Sequence, residues 1–214
     1  MRSLLRLAKP QILVQREALW LDRFLATPLG TRPPSYKYRH QEILSRLLDT
    51  SYQKCFYCEC LLKGVASEVD HHIEVAIDRS LAFTWDNLYL ACTNCNDKLN
   101  HNEIPITNAL DPCINTDAEI NEHLRFEDDV ILPRGNSIMG SNTIKKYKLG
   151  TITSEYLRMK ELRKLSRILE KVLLECNHDH REPTEEELES IKSFTYREKA
   201  YSLMFKQKLD GLGF

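Results

Sequence analysis

Two cysteine pairs, Cys55-Phe-Tyr-Cys58 and Cys92-Thr-Asn-Cys95, are the residues in this chain most clearly spaced for chemistry. A C-x-x-C turn aims two thiolates at one point, and two such turns supply the four sulfur ligands of a closed tetrahedral zinc site. The 33 residues between the pairs exceed the ~15–20 of a short zinc ribbon, so a folded piece must fit between them. Bound zinc of this kind contributes about 10–16 kcal/mol of apparent binding energy to folding. Four unliganded core cysteines, or one redox-active pair, are the competing readings. Neither pair shows the strand-then-helix βαβ context of a redox motif. Cys60 stands two residues past Cys58 as a rival ligand, and Cys113 and Cys176 read as small hydrophobes. Seven cysteines are an odd number, so complete internal disulfide pairing is impossible.

The interval between the pairs holds a second constellation. Val69-Asp70-His71-His72-Ile73 reads as the end of a strand, Asn87-Leu88-Tyr89-Leu90 as a second short strand, and the polar stretch after Cys92 as a helix start. In that order, with cysteine turns pinning both ends, Asp70, His71, Asn87 and Asn96 come close together. His101 and Asn100 are weaker candidates for the same place. The remaining histidines (40, 123, 178 and 180) belong to no constellation and read as surface residues.

The array of C-x-x-C, Asp-His, Asn-Leu and C-x-x-C followed by Asn resembles the HNH endonucleases of ββα-metal fold. Phosphodiester hydrolysis needs an activated water and a cation on the phosphate. A neutral imidazole accepts a water proton near pH 7, and a hard divalent ion held by oxygens offsets the developing charge. The resemblance implies His71 as general base, Asp70 and Asn96 as ligands of a catalytic Mg²⁺ or Mn²⁺, and Asn87 as the residue that positions the base. Cys55, Cys58, Cys92 and Cys95 then hold a separate structural Zn²⁺. Two registers remain open, because some members use Asp-His and others His-His. The first is preferred, with His71 as base; the second makes His72 the base.

A narrower resemblance covers most of the chain, with its specific part at 55–113. Cys55-Phe-Tyr-Cys58-Glu59, Phe83-Thr-Trp85-Asp86-Asn87-Leu88, Cys95-Asn96-x-Lys98 and Leu110-Asp111-Pro112 are similar to the HNH nuclease subunit of Septu-type anti-phage defence, the PtuB type, which also accompanies some retrons. It implies cleavage of DNA or tRNA and a PtuA-like ABC/SMC-type ATPase as partner. The chain itself contains no G-x-x-x-x-G-K-[ST], so ATP dependence has to come from another chain. Where that family continues Phe-Arg-Pro-Lys after the histidine, this chain reads His72-Ile73-Glu74-Val75, with an acidic residue in place of a basic contact. The competing function is a zinc module that binds nucleic acid or protein without catalysis; it needs no general base.

The elements that must position these groups are mostly helices. Ile12, Leu13, Leu19, Trp20, Phe24 and Leu25 predict an amphipathic helix over 12–26. Pro and Gly turn the chain over 27–36. A second helix is expected over 37–52, and a third over about 152–176. Residues 103–135 read as irregular and acidic. Thr184, with Glu187 three residues on, predicts a capping box and a further helix. The expected fold is α+β and mostly helical, a zinc-stapled HNH core flanked by helices. The divisions are an N-terminal helical segment (1–54), the core (55–113), and a connection with a C-terminal helical segment (114–214).

With 7 Gly in 214 residues, about 3% against a usual ~7%, a turn-dense all-β fold is disfavoured. The start of the chain shows neither a long apolar run nor a small-residue cleavage site, so a cytoplasmic protein with reduced thiols and no membrane contact is expected. The net charge of −1 excludes a uniformly basic nucleic-acid binder. It hides a division: residues 1–54 carry +6, 55–140 carry −10, 141–176 carry +5 and 177–214 carry −2. An acidic centre between basic flanks fits a cation site whose phosphate contacts come from outside it. Solvated basic helices account for the same charges.

Overall fold

The computed structural model describes residues 1–214. Helix α1 (Gln11–Leu25) and helix α3 (Gln41–Thr50) form the N-terminal layer, joined by a Pro-rich loop and the one-turn α2 (Ser35–Tyr38). The helix expected over 37–52 is therefore broken near its start. His40 caps α3, its Nδ1 accepting from the Glu42 amide at 3.3 Å, and a cap residue needs non-helical backbone. Leu13 and Phe24 of α1 and Ile43 and Leu47 of α3 are buried, whereas Leu19 and Leu25, expected on the same apolar face of α1, are exposed.

The centre is small. Strand β1 (Ser67–His71) pairs antiparallel with β2 (Leu88–Cys92), with Asp70 opposite Tyr89 and Ser67 opposite Cys92. The single turn α4 (Thr93–Asn96) follows at once. His72 and Ile73 lie beyond β1, and Asn87 sits in a 3₁₀ turn just before β2.

The stretch expected to be irregular is half ordered. Helix α5 (Asp117–His123) starts at a capping box, Thr116 with Glu119, and runs into a hairpin of β3 (Leu124–Glu127) and β4 (Val130–Pro133). The Thr-x-x-Glu signal was in the sequence, masked by the acidic residues around it. Helix α6 (Ile138–Lys146) leads to the long α7 (Ile152–Asp179), which begins and ends close to the expected positions. Thr184 and Glu187 form the anticipated capping box of α8 (Glu185–Lys192). Helix α9 (Ser202–Leu212), unanticipated, buries Leu203, Met204, Phe205 and Leu209.

One apolar cluster of 39 buried residues runs from Met1 through both cysteine pairs to Leu209, so flanks and centre share a core. Polar clamps fasten it. Arg6 donates to the carbonyls of Trp85 and Leu88, each at 3.0 Å, and its guanidinium lies 4.4 Å from the Tyr89 ring. Glu59, between two cysteines, accepts from Lys54 (3.2 Å) and the Ser202 hydroxyl (2.9 Å). Burial opposes the Glu59 charge, but the Met1 ammonium and Lys54 outweigh it and hold the carboxyl at about 2. The molecule is thus about half helical with two small antiparallel pairs, and no helix is long and apolar enough to cross a membrane.

Candidate active site

Cys55, Cys58, Cys92 and Cys95 are buried, and their sulfurs all lie within 4.8 Å of one another. None is in a disulfide. The Cys58 and Cys92 sulfurs are 3.8 Å apart, close to the spacing of two thiolates bound tetrahedrally at ~2.3 Å from one zinc. Local backbone explains the convergence. The Cys55 amide donates to the Cys60 carbonyl at 2.9 Å and the Glu59 amide to the Cys55 carbonyl at 3.1 Å, closing the first turn. The Phe56 amide donates to the Leu90 carbonyl at 2.9 Å, which docks that turn on β2. Cys92 ends β2 and Cys95 lies in α4. Cys60 is buried beside the cluster but is not one of the four convergent sulfurs. These four cysteines can hold a structural metal ion such as zinc.

Beside β1 a cleft of about 650 Å³ is lined by Asp70, His71, Glu74 and Asn96, and by the Leu29–Pro33 loop and Tyr38. Three of the four residues expected to gather between the cysteine turns therefore share one cleft. The His71 Nε2 lies 2.9 Å from the Ala82 carbonyl oxygen. A carbonyl only accepts, so in the neutral ring Nε2 carries the hydrogen and Nδ1 keeps a lone pair. The Tyr38 ring packs edge-on against the imidazole at 4.8 Å. Burial, with the charge of Lys98, holds the His71 pKa below the ordinary histidine value despite the Ala82 bond and Asp70.

Asp70 is buried, and one of its oxygens is fully used. Oδ2 accepts from the Tyr57 hydroxyl and from Lys98 Nζ, each at 2.6 Å. Oδ1 has no protein partner, and the exposed Asn96 side chain makes no hydrogen bond within the chain. One carboxylate oxygen and one amide oxygen facing a cleft fit a hard divalent cation that keeps most of its waters. Lys98 also donates to the carbonyls of His71 (2.7 Å) and His72 (3.1 Å), fixing the backbone where β1 ends.

His72 is placed differently. It is 4% exposed, stacks on Tyr89 at 4.3 Å between centroids, and sits 3.2 Å from the Tyr57 hydroxyl and 3.3 Å from Asp111. Burial, then the charges of Lys98, Lys146 and Arg6, push its pKa well down. Its ring is absent from the cleft. Asn87 is also buried, and its side chain makes no hydrogen bond to His71. Its Oδ1 accepts from the Ile73 amide at 2.7 Å, and its Nδ2 donates to the carbonyls of Ile73 (3.0 Å) and Leu81 (3.2 Å). Asn87 thus clamps the chain leaving the His-His pair to the turn before β2. Asn100 accepts from two following amides in its own turn, and neither it nor His101 lines the cleft.

Residues 55–102 match the HNH endonuclease family. The chain carries an HNH segment. Two curated relatives, both named Septu protein PtuB, come from Bacillus thuringiensis and Bacillus mycoides (strain KBAB4). Each is 26% identical, over 137 and 151 residues, and the matches cover 63% and 56% of this chain. They cover 49% and 50% of the relatives, so the chain spans about half the length of the curated relatives it matches.

The HNH segment contains both cysteine turns and the catalytic-looking cleft side chains, but not everything that supports them. Tyr38, from α2, and the 29–33 loop lie upstream of it. Asp111, which receives the Tyr89 hydroxyl at 2.7 Å, lies downstream. Tyr57 and Lys98 lie within the Cys55–Glu59 and Cys95–Lys98 motifs, and their bonds to Asp70 join segments that are distant in the chain. Tyr38 had no local signal, since its contact with His71 spans more than thirty residues of chain.

Proposed function

We propose that the protein is a metal-dependent HNH endonuclease that hydrolyses phosphodiester bonds in nucleic acid. The single observation carrying this is His71, whose Nε2 is engaged by the Ala82 carbonyl so that Nδ1 is left to take a proton in the cleft it shares with Asp70 and Asn96. Held neutral by burial, His71 accepts the proton of the attacking water. Asp70 and Asn96 would hold a divalent ion, Mg²⁺ or Mn²⁺, which would supply charge stabilisation at the phosphate. Asn87 and Lys98 position the backbone around the His-His pair, and the four cysteines with zinc fix the ends of the ββα unit.

The similarity to PtuB supports a place in anti-phage defence of the Septu or retron type, beside a PtuA-like ABC/SMC-type ATPase, with DNA or tRNA as substrate. The zinc-module reading without catalysis leaves the His71 cleft without a use, and is the less favoured for that reason.

The deciding experiment is nicking of supercoiled plasmid and of tRNA, with and without the co-expressed ATPase. Cleavage is expected in Mn²⁺ or Mg²⁺ and none after chelation of the weakly held ion. Absence of cutting in every combination would sink the nuclease reading. Tyr57 provides a second check. Its hydroxyl orients Asp70, and losing such an outer partner typically costs about 10–100-fold in metal affinity or activity. Tyr57→Phe, which keeps the buried ring, is expected to weaken Mn²⁺ binding, measured by the electron paramagnetic resonance signal of free Mn²⁺, by that factor. Unchanged binding would show that the hydroxyl does not orient the ligand.

A further inference from the structure

The cleft walls are acidic where the chemistry is proposed, with Asp70 and Glu74 both facing it. A nucleic-acid strand brings its own negative charge, so some cation must meet the phosphate. Two arginines line the cleft, Arg32 and Arg79. Arg79 is committed: its Nη2 donates to the Phe24 carbonyl (2.9 Å), the Thr27 carbonyl (3.1 Å) and the Thr27 hydroxyl (2.9 Å). Lys98 is bonded to Asp70 and two backbone carbonyls. Lys146, 3.9 Å from Glu74, is fully buried and donates to the carbonyls of Leu99 and Ile104. Arg32 alone is exposed at the cleft and bonded to nothing in the chain.

Its loop is built to hold a position. Arg79 ties the base of the loop to the HNH segment through the three bonds above. The Thr31 amide donates back to the Pro28 carbonyl at 3.2 Å, Gly30 supplies a φ of +83° that closes the turn, and Pro33-Pro34 stiffen the exit into α2. The same segment delivers Tyr38 onto His71. The basic N-terminal segment therefore reaches the acidic centre at one charged, unpaired side chain.

We infer that Arg32, carried over the cleft by the Leu29–Pro33 loop, grips a backbone phosphate of the substrate strand next to the bond to be cut. The inference rests on the nuclease reading and names the group that binds its substrate. Guanidinium matches phosphate geometry through paired donors, and a phosphate contact of this kind adds affinity without reading sequence.

The test measures binding of fluorescein-labelled single-stranded 20-mers, one DNA and one RNA, by anisotropy at several salt concentrations. The parent protein carries His71→Ala so that the probe stays intact. Adding Arg32→Ala is expected to weaken binding about tenfold and to lower the slope of log K against log salt by about one. Arg32→Lys should recover part of the affinity. Arg16→Ala removes an exposed charge from α1 outside the cleft and should leave the slope unchanged. Equal affinity and slope with and without Arg32 overturn the inference. Cleavage by the unsubstituted protein judges the nuclease reading separately. A protein that cuts, and whose Arg32→Ala form keeps KM and affinity, loses only the Arg32 assignment; one that neither cuts nor binds loses both.

Discussion

His71→Ala is expected to reduce phosphodiester cleavage by about 10²–10⁴-fold, the usual worth of a positioned general base. The His71 ring is only partly buried at the cleft, so its removal opens no large hole. Zinc content and melting temperature should stay close to those of the parent. His72→Ala makes the contrast. That ring is stacked on Tyr89, hydrogen-bonded with the Tyr57 hydroxyl and 3.3 Å from the Asp111 carboxylate inside the core. Truncating it leaves a cavity in the buried aromatic stack, and such losses cost several kcal/mol of stability. Cleavage kinetics beside thermal melts for the two variants separate the roles. The assignment fails if His71→Ala cuts as fast as the parent, or if His72→Ala loses cleavage while its melt is unchanged.

Removing the cysteine site should cost the fold rather than the chemistry alone. The paired strands have five residues each and α4 a single turn, too little regular structure to stand by itself. If zinc contributes about 10–16 kcal/mol there, a domain with a usual net stability of 5–15 kcal/mol cannot spare it. Cys95→Ser is expected to be insoluble or to melt far below the parent. The parent should contain about one zinc per chain by elemental analysis and unfold under strong chelators, while milder chelation removes only the cleft ion. A parent that purifies without zinc and melts cooperatively at the same temperature as Cys95→Ser would refute the structural-metal assignment. The same experiment tests Cys60, because a Cys60→Ser variant with zinc content intact places it outside the ligand set.

Much of the site could be read from residue order because its parts are local. Each C-x-x-C turn closes within four residues, and Asp70 and His71 are neighbours on one strand. Alternation along that strand sends successive side chains to opposite faces, yet both reach the cleft, because His71 is its last residue. The sequence favoured His71 over His72 without placing either ring, for a related reason. His72 follows the strand, where periodicity no longer assigns a face, and only the packed aromatic cluster draws it inward. Asn87 was expected to help position the base, and it acts on the backbone at Ile73 rather than on the ring.

By itself the sequence determined the four-sulfur cluster, the order of strand, strand and turn, and the capped and amphipathic helices. All of these depend on residues close in the chain. Only the tertiary structure decided that Tyr38 packs on His71, that Lys98 and Tyr57 converge on one oxygen of Asp70, and that Arg32 reaches the cleft unpaired. Those contacts join segments tens of residues apart, and no local pattern encodes them. They form because one buried cluster spans the flanks and the centre and closes the chain upon itself.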